Sequence, residues 1–316
     1  MKLVEQLSHL QAGDAQFEQG HYVAAADSYQ QAYQEAQRTG KSGKVLYRKL
    51  IRASARANIF NPRVYFANDR LKIIYCRIPK NACTIFTNMM IENSAIADRF
   101  LTSPLGPHNY LSKHSKALRI TDSWVFKDPD YFKFVVLRNP FKRLVSGYLD
   151  KFAKTTVFEK MAKTVILSVQ AEMGTELNLE KSITFEQFIE YLVKTEDSAL
   201  DAHWRPQNTF LSQGLFEFDL VGQFERLDNT ITDLESRFKI TITQDVMKKA
   251  KRGHATKYTD VPLPNNLHSI LPQELRQLSG FPKASQLLTP RLRSLIERRY
   301  EEDIATYARY FGSAEI

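Results

Sequence analysis

The chain has 316 residues, of which 43% are hydrophobic and 25% are charged, values typical of globular proteins with one large domain or two ordinary ones. Lys and Arg total 44 and Asp and Glu total 35, so the net charge is +9 at pH 7. This composition excludes a wholly disordered, collagen-like or low-complexity chain. The excess of positive charge suggests an anionic partner.

The apolar runs are short, because stretches such as residues 73–76 fall far below the ~20 residues of a membrane-spanning helix. The first ten residues are too polar for a signal peptide. We therefore expect a soluble, cytoplasmic protein without a membrane span. The two cysteines, Cys76 and Cys83, form no metal-ligand pattern, so we expect neither a structural zinc site nor a disulfide scaffold.

Residues 1–60 are predicted to form a helical extension. Small and aromatic residues recur from Gly13 to Ala32 at the spacing of a tetratricopeptide hairpin, with Gly20 in the turn. Residues 43–57 could add a third helix. A single repeat cannot bury its own apolar face, so we expect the extension to dock on the rest of the chain or on a protein partner. An extension without a recognition role is the alternative.

Predicted strands alternate with predicted helices from residue 61 onward, after a turn-rich junction at 58–70. Strands are expected at 71–78, 131–137 and 218–224, and helices from residue 84, at 140–152, at 228–238 and at 289–310. This alternation predicts an α/β domain over residues 61–316, with a parallel sheet flanked by helices. Ligands of such sheets bind beyond the carboxyl ends of the strands.

The first strand-to-helix junction is the segment 77–84, with the sequence RIPKNACT. Backbone N–H groups at a helix start form an anion site, to which Lys80 adds a charge and Thr84 a hydroxyl. Ala82 and Cys83 are small and permit close approach. The glycines of a Walker loop are absent, which disfavours an ordinary nucleotide triphosphatase. The alternative for this segment alone is an ordinary capped helix.

The second junction follows the strand at 131–137. Asn139 is a suitable N-cap for the next helix and Pro140 suits its first position. Arg138 can point toward the first junction, and Ser146 lies about 12 Å along the helix at ~1.5 Å per residue. Alternatively, Arg138 pairs with a carboxylate and Ser146 is an ordinary helix serine without a binding role. The residues predicted to lie outside the buried face of this helix are Lys142, Arg143, Ser146 and Asp150.

Together the two junctions resemble those of a known family. Residues 77–84 are similar to the 5′-phosphosulfate loop of the carbohydrate sulfotransferases, and 137–152 resemble their 3′-phosphate motif. The segment AHWRPQ at 202–207, leading to the strand at 218–225, and the closing helix around 300–312 match in the same order. The family meant is the Golgi-type group of the chondroitin 4-O, HNK-1 and heparan 2-O enzymes (sulfotransferase family 2). The matches span roughly residues 70–312.

The chain also departs from that family. Asn139 stands where the family often has Asp, and the cysteines that commonly follow the HWRPQ segment are missing. The tetratricopeptide-like segment takes the place of a Golgi membrane anchor. These differences predict a soluble, bacterial relative in a reducing compartment, whose acceptor need not be an animal glycosaminoglycan.

The resemblance implies a P-loop-like sulfotransferase fold and a reaction. A sulfuryl group would pass from 3′-phosphoadenylyl sulfate (PAPS) to an acceptor hydroxyl, on a glycan, leaving 3′-phosphoadenosine 5′-phosphate (PAP), without a metal. Lys80 would stabilise the departing phosphate, and Arg138 and Ser146 would hold the 3′-phosphate. The residues that would line the 5′ side with Lys80 are Pro79, Asn81, Ala82, Cys83 and Thr84.

A histidine is expected to act as general base and deprotonate the acceptor hydroxyl during in-line transfer, and the candidates are His108, His114 and His203. The heparan 2-O enzymes use a histidine between the two binding motifs, which favours His108 first and His114 second. His203 could instead be a structural histidine under the acceptor groove, where it and Arg205 would meet the substrate.

The sequence is also compatible with other functions. The basic segment 251–257 (KRGHATK) could close over the donor or meet an acidic acceptor, or be a solvated loop. The protein could be an inactive sulfotransferase-like module that binds a partner through its N-terminal helices. A nucleic-acid-binding protein is a further alternative, but no RRM, helix-turn-helix or zinc-finger pattern occurs, so we expect no nucleic-acid partner.

Overall fold

The structure is a computed structural model that describes residues 2–242 and 265–315. The basic segment 251–257 lies outside the described residues. The described strands are β1 (Tyr65–Asn68), β2 (Ile73–Cys76), β3 (Phe132–Leu137) and β4 (Leu220–Gln223). The described α-helices are α1 (Lys2–Glu18), α2 (Tyr22–Arg38), α3 (Lys44–Arg56), α4 (Cys83–Glu92), α5 (Ala97–Leu101), α6 (Pro107–Lys113), α7 (Pro140–Tyr148), α8 (Lys160–Glu172), α9 (Phe185–Lys194), α10 (Leu227–Phe238), α11 (Pro272–Gln277), α12 (Ala284–Leu287), α13 (Pro290–Arg299) and α14 (Glu301–Phe311).

The four strands form one sheet in the order β1-β2-β3-β4. β2 and β3 are parallel, with Ile73 opposite Phe132, while β1 runs antiparallel to β2. The predicted α/β architecture is therefore confirmed. β1 lies inside the stretch that the sequence analysis assigned to a junction. Its four residues are all buried, so it lacks the alternating pattern that identifies a strand with one solvated face.

The chain divides into two compact units. The first contains Met1–Arg77, Phe86–Val135 and Thr209–Val221, and the second contains Ile78–Ile85, Val136–Asn208 and Gly222–Ile316. The N-terminal helices thus share a unit with β1 and β2. The domain boundary near residue 60 stays a prediction.

The helices α1 and α2 form a hairpin in the first unit. A Cβ atom on Gly13 would lie 2.7 Å from the ring of Tyr29, so glycine permits the close approach. Gly20 has a φ of 81° in the turn between the helices, a conformation that glycine adopts without strain. Both features agree with the predicted hairpin, and α3 is the expected third helix. Its likeness to a tetratricopeptide repeat stays a prediction.

An aromatic cluster fills the core of the first unit. Phe126 and Phe216 stack at a centroid distance of 4.6 Å, and Tyr65 packs edge-on against both. The Tyr65 hydroxyl donates to the Phe210 carbonyl at 2.7 Å, which satisfies its polar end. Burial of each such side chain contributes roughly 1.5–3 kcal/mol.

The core of the second unit holds α7 in place. Tyr148 and Phe152 lie on α7 and on the π-helical turn Leu149–Ala153 that continues it. Phe152 packs against Phe188 of α9 and against Trp204, at centroid distances of 5.2 and 5.6 Å. The predicted buried face of this helix is confirmed by six residues: Phe141, Leu144, Val145, Tyr148, Leu149 and Phe152.

The single helix predicted at 289–310 is two helices, α13 and α14, that meet at Tyr300. This residue has φ −117° and ψ 29°, outside the helical range, and its hydroxyl donates to the Trp204 carbonyl at 2.6 Å. No helix among the described residues is both long and apolar enough to span a bilayer. Within the same residues, no group of three or more His, Cys, Asp or Glu side chains could hold a metal ion.

Candidate active site

The loop between β2 and α4 has an unusual backbone. Lys80 and Ala82 have φ values of 72° and 59°, which non-glycine residues rarely adopt and which cluster at functional sites. The N–H of Asn81 donates to the Ile78 carbonyl at 3.3 Å, and α4 begins at Cys83. Alternation of left-handed and ordinary residues is typical of backbone concavities that bind anions, and here it precedes a helix start.

Asn81 anchors this loop to the end of β3. Its side chain is buried, and its Nδ2 donates to the Val136 carbonyl at 2.8 Å and to Oε1 of Gln207 at 2.5 Å. Its Oδ1 is buried and accepts no hydrogen bond within the described part of the chain. Asn81 was expected to line the 5′ side of the donor, whereas these contacts give its side chain a structural role that the sequence did not predict.

Gln207 links the HWRPQ segment to the end of β3. Its Nε2 donates to the Arg138 carbonyl at 2.8 Å, and its Oε1 accepts from the Arg138 N–H at 3.0 Å. The backbone N–H groups of Gln207 and Asn208 both donate to Asp303 at 2.7 Å. Burial raises the pKa of the Asp303 carboxyl, although these N–H groups and Arg143 favour its charged form.

Arg143 joins the HWRPQ segment to the first loop. Its buried guanidinium donates to three carbonyls, of Pro79 at 3.2 Å, Arg205 at 2.7 Å and Ala202 at 2.8 Å. Burial lowers the pKa of this group. The guanidinium of Arg205, predicted to meet the substrate, donates to the Leu200 carbonyl at 3.0 and 2.6 Å.

The two predicted binding motifs meet at Lys80 and Arg138. Nη1 of Arg138 donates to the Lys80 carbonyl at 3.0 Å, and the guanidinium carbon lies 4.2 Å from the ring centroid of Phe224. Nζ of Lys80 lies 3.1 Å from Oδ2 of Asp150, with only 9% of the lysine side chain exposed. Burial lowers the pKa of Lys80, and Asp150 opposes this shift only in part.

A second stripe of α7 faces the first loop. Arg143, Ser146 and Asp150 are three and four residues apart, which places them on one helix face. Arg143 contacts Pro79 and Asp150 contacts Lys80, while Ser146 lies between them and is half-buried. All three were predicted to lie off the apolar face, but not that they form a face of their own, although their spacing indicates one.

The N-cap of α7 depends on both ends of the Asn139 amide. Its Oδ1 accepts from the Lys142 N–H at 3.2 Å, as predicted, and its Nδ2 donates to the Ala314 carbonyl at 2.6 Å. Its backbone N–H donates to Glu225 at 3.0 Å. An aspartate, which is frequent here in the resembling family, could accept the first hydrogen bond but could not donate the second.

His203 carries a carboxylate partner. Its Nδ1 lies 2.7 Å from Oδ1 of Asp201, which also accepts the His203 N–H at 2.9 Å. Burial raises the pKa of Asp201, but the hydrogen bonds from His203 outweigh it and the pKa lies below its usual value. A Cβ atom on Gly147 would lie 3.5 Å from the His203 carbonyl, so the backbone of His203 packs against α7 at Gly147.

The other two candidate histidines are on α6, in the first compact unit. His108 is half-buried in the first turn of that helix, after Pro107. His114 is exposed at its carboxyl end, where its ring lies 4.4 Å from that of Tyr110. Lys80, in contrast, belongs to the second unit.

Comparison with known proteins gives a family match over most of the chain. The model of the family described as "Sulfotransferase family" matches residues 63–310. Carbohydrate sulfotransferase 8 of Mus musculus is 27% identical over 214 residues, 64% of this chain and 49% of that protein. Carbohydrate sulfotransferase 14 of Homo sapiens is 26% identical over 167 residues, 52% of this chain and 44% of that protein. The matched region thus spans about half the length of these relatives.

The expected bacterial source and the expected cytoplasmic location are both wrong. These relatives are animal carbohydrate sulfotransferases, as is carbohydrate sulfotransferase 11 of Rattus norvegicus, 28% identical over 50% of this chain and 47% of that protein. Animal relatives contradict the bacterial source. They also belong to the Golgi-type group named in the resemblance, which contradicts the cytoplasmic location. The bacterial source was expected from departures from the family pattern, which sequence divergence also produces. The cytoplasmic location was expected from the short apolar runs and the polar first ten residues.

The resemblance to the sulfotransferases is confirmed over most of the chain. The family match begins near the predicted start of the α/β domain and continues through its closing helix. The predicted fold and the predicted family are confirmed. The chain belongs to the sulfotransferase family.

Proposed function

We propose that this protein transfers a sulfuryl group from PAPS to a hydroxyl of a carbohydrate acceptor. The names of the three relatives reported above, each a carbohydrate sulfotransferase, support the acceptor class. The observation that carries the proposal is the hydrogen bond between Arg138 and the Lys80 carbonyl. It attaches the guanidinium of the second predicted phosphate motif to the backbone of the loop that carries Lys80.

The residues around that loop fit the donor. The left-handed backbone at Lys80 and Ala82 and the start of α4 are suited to a phosphate. Lys80 and Arg138 add positive charge beside them. We propose that the 5′ side is held by this loop, including Pro79 and the residues 81–84, and that Arg138 and Ser146 hold the 3′-phosphate. When bound, PAPS supplies a sulfuryl group attached to a phosphate that leaves.

Lys80 would neutralise negative charge on that phosphate. Its ammonium is buried, and a charge acts more strongly in a site from which water is excluded. Arg138 offers a planar fork of donors that matches a phosphate. These groups and the loop N–H groups would supply the charge stabilisation that a metal ion provides in phosphoryl-transfer enzymes.

A histidine base completes the proposal. His108 is the first candidate and His114 the second, because the resembling heparan 2-O enzymes use a histidine between the two binding motifs. His203 is the candidate whose own contacts support the role, because a carboxylate bonded to Nδ1 fixes the ring and leaves Nε2 to accept a proton. His108→Gln, His114→Gln and His203→Gln are to be compared with wild type: the variant that loses about 100-fold in kcat while PAP binding is kept identifies the base.

The direct test is incubation of the protein with labelled PAPS and a panel of acceptors. We expect labelled carbohydrate and PAP from the wild type, and a loss of about 100-fold in kcat for Lys80→Ala. Label on peptide tyrosines or small alcohols alone would contradict the acceptor class. An inactive module that binds a protein through α1 to α3 would instead bind PAP weakly, and Lys80→Ala would change nothing.

A further inference from the structure

The carboxylate of Asp150 contacts the cation of the proposed donor loop. Nζ of Lys80 and Oδ2 of Asp150 are 3.1 Å apart, and the two side chains are 9% and 18% exposed. Asp150 belongs to the π-helical turn that continues α7, and such turns occur frequently at functional sites. The contact comes from the helix face that also carries Ser146.

Lys80 lies where its positive charge is disfavoured. Burial opposes the ammonium form, and so do the nearby cations Arg138 and Lys151. The Asp150 carboxylate acts in the opposite direction, through its charge and its hydrogen bond. This balance matters because a neutral amine could not stabilise charge on a departing phosphate.

Asp150 has a second cationic partner. Nζ of Lys151 lies 3.4 Å from the same oxygen of Asp150 and 2.6 Å from Oε1 of Glu159. Lys154 also lies within the electrostatic reach of Asp150. If Lys80 turns away from Asp150, the carboxylate therefore still faces positive charge, and it avoids the large penalty of an uncompensated buried charge.

We propose that Asp150 is a positioning residue for Lys80: it keeps the buried ammonium charged and in place, and yields it to the donor phosphate on binding. The inference rests on the proposed function. Carboxylate and phosphate compete for one ammonium group, so Asp150 opposes donor binding where Lys80 is fully protonated. It assists donor binding at alkaline pH, where Lys80 would otherwise lose its proton.

The effect of Asp150→Asn on PAP binding should therefore change sign with pH. At about pH 6.5 the variant should bind PAP up to about tenfold more tightly than wild type, and at about pH 9.5 about tenfold more weakly. Calorimetric titration of both proteins at each pH measures this. Protonation of PAP itself cancels, because variant and wild type are compared at the same pH.

The controls separate charge from position. Glu159→Gln removes the same charge from the partner of Lys151 and should show no change of sign. Asp150→Glu keeps the carboxylate and should restore the wild-type pH dependence. Weaker binding of Asp150→Asn at both pH values would mean a merely structural role, and tighter binding at both would mean a general charge effect; either result overturns the inference.

A second measurement does not depend on the nucleotide. Brief acetylation with acetic anhydride, followed by mass spectrometry of the peptide that contains Lys80, reports how its protonation varies with pH. In Asp150→Asn the midpoint should fall by about one pH unit, and an unchanged midpoint overturns the inference. If wild type fails to bind PAP while this midpoint shifts, the proposed donor is wrong, but Asp150 still keeps Lys80 charged.

Discussion

The side chain of Gln207 bonds to both the N–H and the carbonyl of Arg138, at 3.0 and 2.8 Å. It thereby pairs with the end of β3 as the backbone of a neighbouring strand would. The same Oε1 accepts from Asn81 of the donor loop. One amide therefore sets the positions of Arg138 and of the loop that carries Lys80.

Gln207→Glu tests this arrangement. The substituted carboxylate has the same shape but cannot donate to the Arg138 carbonyl, and it would be a buried charge, since Gln207 is 3% exposed. We expect a loss of about 3 kcal/mol in the free energy of unfolding and weaker PAP binding. Asn208→Ala, whose side chain bonds Glu302 near the surface, is the control and should cost less than about 1 kcal/mol. Equal stability of Gln207→Glu and wild type would contradict the arrangement.

Arg143→Lys should destabilise the fold strongly, although the substitution keeps the positive charge. A lysine keeps the charge but cannot reach the three carbonyls of Pro79, Ala202 and Arg205 at once. We expect a loss of about 2–4 kcal/mol in urea unfolding, together with weaker PAP binding. Lys142→Ala, at the preceding position of the helix, serves as the control and should lose about 0.5 kcal/mol or less. A stable Arg143→Lys that binds PAP normally would show that the three hydrogen bonds of the Arg143 guanidinium are dispensable.

Asn139→Asp introduces the residue that is frequent in the resembling family. The carboxylate would keep the cap of α7 but would face the Ala314 carbonyl, to which the amide now donates. We expect a loss of about 1–2 kcal/mol and faster amide hydrogen exchange over residues 312–315. Asn139→Ala, which loses the cap as well, should lose more. An Asp variant as stable as wild type would mean that the contact with Ala314 contributes nothing.

The ion pair between Arg48 and Asp122 predicts a pH dependence of stability. Nε and Nη2 of Arg48 bond both carboxylate oxygens at 2.8 and 2.5 Å, and these hydrogen bonds lower the pKa of Asp122 to about 2. The unfolded chain binds a proton at Asp122 at higher pH than the folded chain does, so the pair stabilises the fold above about pH 4. This contribution is lost as the pH falls from there toward about 2.

Chemical unfolding of wild type and Asp122→Asn at several pH values between about 5 and 2 checks this dependence. The stability difference should shrink as the pH falls, and it should be small throughout, because both side chains are 44% exposed. A difference that stays constant with pH would assign the effect of the substitution to packing instead.

The sequence predicted the strands and helices that have long, regular patterns, and both junctions at which the site forms. It did not predict β1, whose four residues are all buried and show no alternation between the two faces of the strand. It also did not predict the break at Tyr300, where the tyrosine hydroxyl donates to the Trp204 carbonyl. Such contacts join residues far apart in the chain and leave no local pattern. The same holds for Asn81, Arg143 and Gln207, which hold the loop through backbone groups of distant segments.

Functional residues were easier to find than the residues that support them. Lys80 and Arg138 stand directly after strands, where topology alone points to a ligand. Asp150 could have been found from its spacing to Arg143 and Ser146. Its pairing with Lys80 could not, because no sequence pattern relates a helix position to a loop about 70 residues away.

The proposed donor site depends on two junctions that hold opposite phosphates of one nucleotide. Calorimetric titration with PAP and with adenosine 5′-phosphate, which lacks the 3′-phosphate, measures this directly. Wild type should bind PAP at least about 100-fold more tightly; Arg138→Ala and Ser146→Ala should each reduce this ratio about tenfold, and Lys80→Ala should weaken both ligands alike. A ratio that is the same in wild type, Arg138→Ala and Ser146→Ala would show that the second junction does not hold the 3′-phosphate.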